Sequence, residues 1–375
     1  MRFVERAALT FRLKAEATRL RLVWLPALAG RLRAAFDFRL NVEARRHVSK
    51  AMPAIVLAAC TCLRADGLVF VHAQRYAMGT MFDIAAYHAS GQKAERGIEV
   101  ALAEIVRLDH VMSHFDPESE LAKLVRTGRT AFVGVDPALY DVLSQSMEIS
   151  RRSGGSFDVT VGPLVRLWQN AQTSGQPPSP DSIAKAKRCV GYEKVQLMPP
   201  DRVHLNSDCV SIDLGGIGKG YAVERAMQIL QGAGIEHAVV NAGQSSIAAI
   251  GHPPDREGWM VDLGVDGTGL GEIELRDSSI STSRQGRVPM ATGDRGFGDI
   301  IDPTRGRPIE STVTVIVRIR SATQADALST TLLLLPIEEG KKVLEGFPEA
   351  AAVWLSATGD VVAMHRDIRA PRWKR

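Results

Sequence analysis

The segment that most restricts what this chain can fold into is Asp213 to Tyr221, DLGGIGKGY. The apolar run Val210 to Leu214 reads as a buried strand, and the glycines after it read as a turn whose backbone can approach a ligand. Val223, Met227 and Leu230 then recur at helical spacing. A lysine where a helix begins adds its charge to the positive helix terminus, so Lys219 and the nearby amides suit a phosphate. The segment is neither a Walker A loop, because Gly follows the lysine, nor GxGxxG. Alone, it is equally well explained as a plain strand-turn-helix corner.

Around it, short strands and helices intermix without a repeat period. Strands are expected at Met81 to Tyr87, Ala238 to Val240, Ile247 to Ile250, Met260 to Val265, Glu272 to Leu275 and Val313 to Val317. Ile98, Leu102, Ile105, Leu108 and Met112 mark one helix, and Asp136-Pro137 starts another with Leu139, Val142, Leu143 and Met147 on its buried face. GQPPSP at Gly175 to Pro180 is a loop, with Asp181 expected to cap the helix that follows. Ser321 and Gln324 suggest a capping box, and Val353 to Met364 around Gly359-Asp360 a closing hairpin. Strand-helix alternation of the doubly wound kind is missing, so the expected class is α+β.

Within the helix after Ser321, ADALSTT places Asp326 and Thr330 one turn apart on one face, where a carboxylate and a hydroxyl can ligate a hard cation such as Mg²⁺. Without other support, an acidic residue near a helix start explains the same pattern. Three further loops are polar and sharply bounded: SHFDPESEL at Ser113 to Leu121, GGSFDVTVGPLVRLW at Gly154 to Trp168, and DIIDPTRGRP at Asp299 to Pro308.

The front of the chain differs from the rest in charge. Residues 1 to 50 hold twelve Lys/Arg against four Asp/Glu, whereas the remainder has 34 basic and 38 acidic residues. The body has no basic stripe interleaved with aromatics, so nucleic acid is not an expected partner. RRHVSKAMPAIVLAAC at Arg45 to Cys60 has the layout of an export signal; small residues before Cys60 resemble a lipoprotein cleavage site, and Arg45-Arg46 weakly resembles a twin-arginine signal. These features point to the periplasmic side of a bacterial inner membrane, with anchoring through the leader. The competing readings are a first helix over residues 45 to 75, an interfacial helix within residues 1 to 44, and a cytoplasmic location. The expected organisation is a leader over residues 1–75, a catalytic domain over 76–365 and a basic tail over 366–375. Cys189 and Cys209 can form a disulfide or remain two buried thiols, and neither has metal-ligand spacing.

Taken together, Met78 to Thr80, MSHFDPESEL, GGSFDVTVGPL, DLGGIGKGYAVE, IIDPTRGRP and ADALSTT resemble the FAD:protein FMN transferases, the ApbE-like flavin transferases, from about Tyr76 to Leu335. The resemblance implies an α+β domain that binds FAD and Mg²⁺ and moves FMN onto a Thr or Ser hydroxyl of a target flavoprotein, releasing AMP. It implies that Met78, Phe115, Ser156, Phe157 and Asp158 contact the flavin nucleotide. Asp213, Lys219 and Ile300 would complete the FAD site, and the Gly216 carbonyl, Asp326 and Thr330 would ligate Mg²⁺. Lys219 and Asp326 would act directly on the phosphoryl chemistry.

The chain departs from that pattern at three places. The family usually reads HIIDP, with a histidine able to act as base, and this chain has Asp299; a carboxylate can still accept the proton but is a weaker base than imidazole. Where N-x-G-G is frequent, this chain has Asn241, Ala242, Gly243 and Gln244. The usual Thr-Ser-Gly appears as Thr282, Ser283 and Arg284, which can add a phosphate contact or a surface ion pair. The expected activity is therefore FMN transfer, with a flavin-binding protein of weak or no transferase activity, or an FAD pyrophosphatase giving FMN and AMP, as alternatives.

Overall fold

The computed structural model describes residues 64–65, 67–263, 272–286, 297–366 and 368. The signal-like segment, Cys60 and the start of the chain lie outside the described residues.

In chain order the elements are β1 (Arg64–Ala65), β2 (Leu68–Ala77), β3 (Thr80–His88), α1 (Gly91–Met112), α2 (Glu120–Thr127), β4 (Val133–Gly134), α3 (Pro137–Arg152), α4 (Gly162–Ser174) and α5 (Pro180–Lys187). After a 3₁₀ turn at Tyr192–Lys194 come β5 (Val195–Met198), β6 (Arg202–Leu205), α6 (Gly218–Gly232), β7 (His237–Ala242), β8 (Ser246–Ile250), β9 (Trp259–Asp262), β10 (Glu272–Leu275) and β11 (Ser278–Arg284). The last are β12 (Ile301–Asp302), β13 (Arg307–Pro308), β14 (Thr314–Ile319), α7 (Ala322–Leu334), α8 (Ile337–Glu345), β15 (Ala351–Leu355) and β16 (Val361–His365).

Nine strands form one sheet in the order β1-β2-β3-β7-β8-β11-β14-β15-β16, antiparallel throughout. Side chains alternate between its faces. Phe82, Ile84, Ala238, Val240 and Ala248 point to a core closed by Ile98, Leu102 and Ile105 of α1 and by Val223, Ala226 and Leu230 of α6. Farther along the same face, Val315 and Val317 meet Leu328 and Leu332 of α7. The opposite face sets Ile247, Ile280 and Ile316 against Trp259, Val261, Ile273 and Leu275 of the β9–β10 hairpin. The α+β class expected from the mixed pattern is the class observed.

Three expectations change. The sheet takes in β1 and β2, so it begins inside the stretch assigned to the leader, ahead of Tyr76, and residues 68–75 are strand rather than helix. The cap of α5 is Ser179, whose Oγ accepts from Ser182 N, while Asp181 sits in the first turn. Pro180 explains this, because proline favours the first helical position and puts the cap on the residue before it. Val210 to Leu214 is buried but is not a strand: it makes one parallel bridge, Ser211 with Val161, and Asp213 N donates to Val159 O at 2.7 Å. Cys189 and Cys209 form a disulfide. Asp136, Ser321 and the β15–β16 hairpin behave as the sequence suggests.

Candidate active site

α6 begins where the glycine-rich turn ends, and no side chain caps its N-terminus. Gly218 N turns back to donate to Leu214 O at 2.8 Å, and the later amides of the first turn can donate to partners elsewhere in the fold. One comes from α7: Asp326 Oδ2 accepts from Gly220 N at 2.8 Å. The two helices touch because residue 220 has no side chain, since a Cβ there would lie 2.5 Å from Asp326 Cβ and overlap the Ala322 carbonyl. Lys219 is thus held beside the first turn of α7, and Thr330 stands one turn beyond Asp326.

Gly216 completes this corner. A Cβ at 216 would lie 3.2 Å from Phe157 and 3.3 Å from Thr330 Oγ1, so a side chain here would crowd both by a few tenths of an ångström. Asp326 is 3% exposed, and both partners of its carboxylate are neutral: Gly220 N and, at 3.3 Å, Ser281 Oγ. A buried carboxylate without a cationic partner is costly, and a bound cation relieves that cost. Carboxylate, hydroxyl and carbonyl oxygens are the hard donors Mg²⁺ prefers, with the rest of its shell left to water or phosphate. Among the described residues no group of three or more His, Cys, Asp or Glu could hold a metal, as expected of a donor set with one carboxylate.

β11 supplies a buried row of hydroxyls. Ser279, Ser281 and Ser283 alternate onto the helix-bearing face; Ser281 Oγ also donates to Ser245 O at 2.9 Å, and Ser283 Oγ lies 2.7 Å from Ser329 Oγ and 3.3 Å from Thr330 Oγ1. Small hydroxyls let α7 approach the sheet while fixing the orientations of Asp326 and Thr330.

The second wall follows α3. Gly154 and Gly155 take positive φ (61° and 80°) beyond its end and turn the chain back. Asp158 then accepts at Oδ1 from Thr160 N (2.8 Å) and Thr160 Oγ1 (2.6 Å). Burial pushes its pKa above the ordinary carboxylate value, and the Thr160 bonds partly oppose that shift. Thr160 Oγ1 in turn accepts from Gly191 N at 2.7 Å, two residues after the Cys189–Cys209 disulfide.

The third wall is Arg284 to Gly286 with Asp299 to Ile301. Gln285 clamps the two stretches, accepting from Ile300 N (3.0 Å) and donating to Ile309 O (2.8 Å), while Asp299 Oδ1 accepts from Gly286 N at 3.2 Å. The three walls enclose a cleft of about 460 Å³.

Of the residues singled out from the sequence, Ser156, Phe157, Asp158, Asp213, Gly216, Lys219, Asp299, Ile300, Asp326 and Thr330 line this cleft. Arg284 lines it as well. Met78 and Phe115 do not. Phe115 is 78% exposed and packs its ring at 3.8 Å on His114, which is a lining residue. Met78 occupies the tight β2–β3 turn at φ 48°. It sits beside the β7–β8 turn, where Gly243 N donates to Met81 O at 3.0 Å. Sequence reasoning did not single out His114, Ser245, Ser279 or Ser281. The serines carried a usable signal, since hydroxyls at every second position of a strand share one face.

A family model described as "ApbE family" matches residues 78–354. A curated FAD:protein FMN transferase of Klebsiella pneumoniae is 28% identical over 285 residues, covering 71% of this chain and 79% of the relative. Among solved structures, the flavin transferase ApbE of Vibrio cholerae superposes with a TM-score of 0.65 at 26% identity, covering 80% of this chain and 97% of the other. The apbe protein of Thermotoga maritima does so with a TM-score of 0.67 at 28% identity, over 80% and 97%.

Proposed function

The chain belongs to the ApbE family, and from that premise we propose that it is an FAD:protein FMN transferase that moves FMN from FAD to a Thr or Ser hydroxyl of a target flavoprotein, with Mg²⁺ as cofactor. The observation that carries the reading is the meeting, in one cleft, of a neutral-partnered buried Asp326, Thr330 and the bare Gly216 backbone with Lys219. Asp326, Thr330 and the Gly216 carbonyl would hold the cation. Once bound, Mg²⁺ supplies charge neutralisation at the pyrophosphate of FAD.

The chain's own residues do the rest. Lys219 at the start of α6 attracts the pyrophosphate, assisted by the helix terminus. Ser156, Phe157 and Asp158 bind the nucleotide, with Asp158 fixed by Thr160. The target hydroxyl oxygen bonds to the FMN-side phosphorus while the bond from that phosphorus to the bridging oxygen breaks, and AMP leaves with the electron pair. Asp299, at the cleft wall, takes the hydroxyl proton. Arg284 lies on the same wall and adds a second positive charge for the phosphates.

We place the protein on the periplasmic side of the membrane, anchored through its leader. The Cys189–Cys209 disulfide supports this, since disulfides persist mainly in oxidising compartments. Among the described residues no helix is long and apolar enough to cross a membrane. Incubating the full chain with FAD, Mg²⁺ and a candidate target domain should give covalent in-gel flavin fluorescence, with Asp299→Asn slower and Asp299→His as fast or faster. Flavin transfer unchanged in Asp299→Asn would remove Asp299 as the base; AMP without covalent flavin on any target would favour a pyrophosphatase.

A further inference from the structure

Glu224 stands one helical turn beyond Gly220 on α6, on the face that meets the start of α7. Its Oε2 accepts three hydrogen bonds from that start: Ser321 Oγ at 2.6 Å, Thr323 Oγ1 at 2.7 Å and Thr323 N at 2.9 Å. Ser321 is itself the cap of α7 and accepts from Gln324 N at 3.2 Å. A carboxylate from the neighbouring helix thus satisfies one of the free amides of α7 and puts negative charge at its positive end. Glu224 is absent from the lining of the catalytic cleft and faces a separate cavity of about 530 Å³. Its hydrogen bonds go to Ser321 and Thr323 and not to the cleft-lining residues or the cation ligands.

Its position matters because α6 grips α7 at two points. Gly220 N holds Asp326, and Glu224, four residues on, holds Ser321 and Thr323, five and three residues ahead of Asp326. α7 is already packed on β11 and β14, and two hydrogen-bonded points a turn apart add a restraint on its axial register along α6. We infer that Glu224 is a positioning residue for the cation site, holding α7 so that Asp326 and Thr330 arrive together beside the Gly216 backbone and Lys219. The inference rests on the cation reading given under Proposed function.

The test uses Mn²⁺ as the probe, its binding to the full chain followed by electron paramagnetic resonance well below the unfolding temperature, with no turnover involved. Wild type should bind, and Asp326→Ala should not. Glu224→Ala should raise the Mn²⁺ dissociation constant by up to about tenfold, no more than the lower end of what direct partners of metal ligands contribute, because Glu224 acts through Ser321 and Thr323 rather than on a ligand. Glu224→Gln, which keeps one acceptor oxygen, should weaken binding less. Thr323→Val should weaken binding from the α7 side without altering α6. Wild-type affinity in both Glu224→Gln and Thr323→Val, even if Glu224→Ala fails to fold, would reduce Glu224 to a stabilising contact and overturn the inference. No Mn²⁺ binding by wild type would instead overturn the cation reading itself.

Discussion

Gly220→Ala should be far more damaging than its size suggests. The added methyl would lie 2.5 Å from Asp326 Cβ and overlap the Ala322 carbonyl, both anchored in α7 rather than at the tip of a flexible side chain. Relief requires α6 and α7 to separate. Overpacking of this kind costs about 1–3 kcal/mol, and the better helix propensity of alanine returns up to about 1 kcal/mol. Separation also stretches the 2.8 Å bond from Gly220 N to the Asp326 carboxylate, a charge-assisted bond whose loss costs about 1.5–3 kcal/mol. The net expectation is a loss of about 1.5–5 kcal/mol. Gly232→Ala is the control, in the same helix but with open space around the new methyl, and it should be neutral or stabilising by up to about 1 kcal/mol. Denaturant unfolding of both variants with a common slope gives the difference, and Mn²⁺ affinity should fall only in Gly220→Ala. Equal stability of the two would refute the claim that α6 and α7 meet in tight contact at Gly220.

Gln244 holds φ 64° beside Gly243 at 58° in the β7–β8 turn, a conformation that favours glycine or asparagine, so Gln244→Gly should stabilise the fold by about 1 kcal/mol in the same assay. Cys189→Ser with Cys209→Ser should cost about 3 kcal/mol by opening a loop of sequence separation 20. It should also weaken FAD binding, because Gly191 N braces Thr160 and so Asp158; unchanged FAD affinity would cut that link. The hydrogen bond to Asp83 raises the His72 pKa above its usual 6.5, with burial opposing and the Asp83 charge assisting. The protonated form is favoured in the fold, so this contribution is fully present below about pH 6.5 and is lost as pH rises through the raised value. Unfolding free energy followed across that window should flatten in His72→Gln, and an identical profile would contradict the assignment.

What the sequence made legible follows from how local each signal is. The α3 start, the α7 cap and the Asp326–Thr330 pair depend on residues within one or two turns, and all appear as expected. β2 was hidden because its alternation breaks: Val69 and Val71 are buried, but Phe70 on the other face is also apolar, His72, Gln74 and Arg75 are polar, and Tyr76 is exposed. Val210 to Leu214 has the composition of a strand, yet its partner is the short stretch Val159 to Val161 before α4. A Cβ at Gly162 would come within 2.7 Å of Ser211 O, and pairing there stops after one bridge. Ten of the twelve site residues drawn from the motifs share the cleft, because loops and the α6 start meet the face of α7 that carries Asp326 and Thr330. Glu224 escaped notice because its partners are about a hundred residues away and only the packing of two helices brings them together.

The most direct test of the central claim is intact-mass analysis of a purified target domain after incubation with the full chain, FAD and Mg²⁺, with released AMP measured in the same tube. The account predicts one FMN added per AMP released, no adduct when the acceptor Thr or Ser is changed to Ala, and neither product with Asp326→Ala. AMP released at the wild-type rate by Asp326→Ala, or an FMN adduct that survives loss of the acceptor hydroxyl, would contradict it.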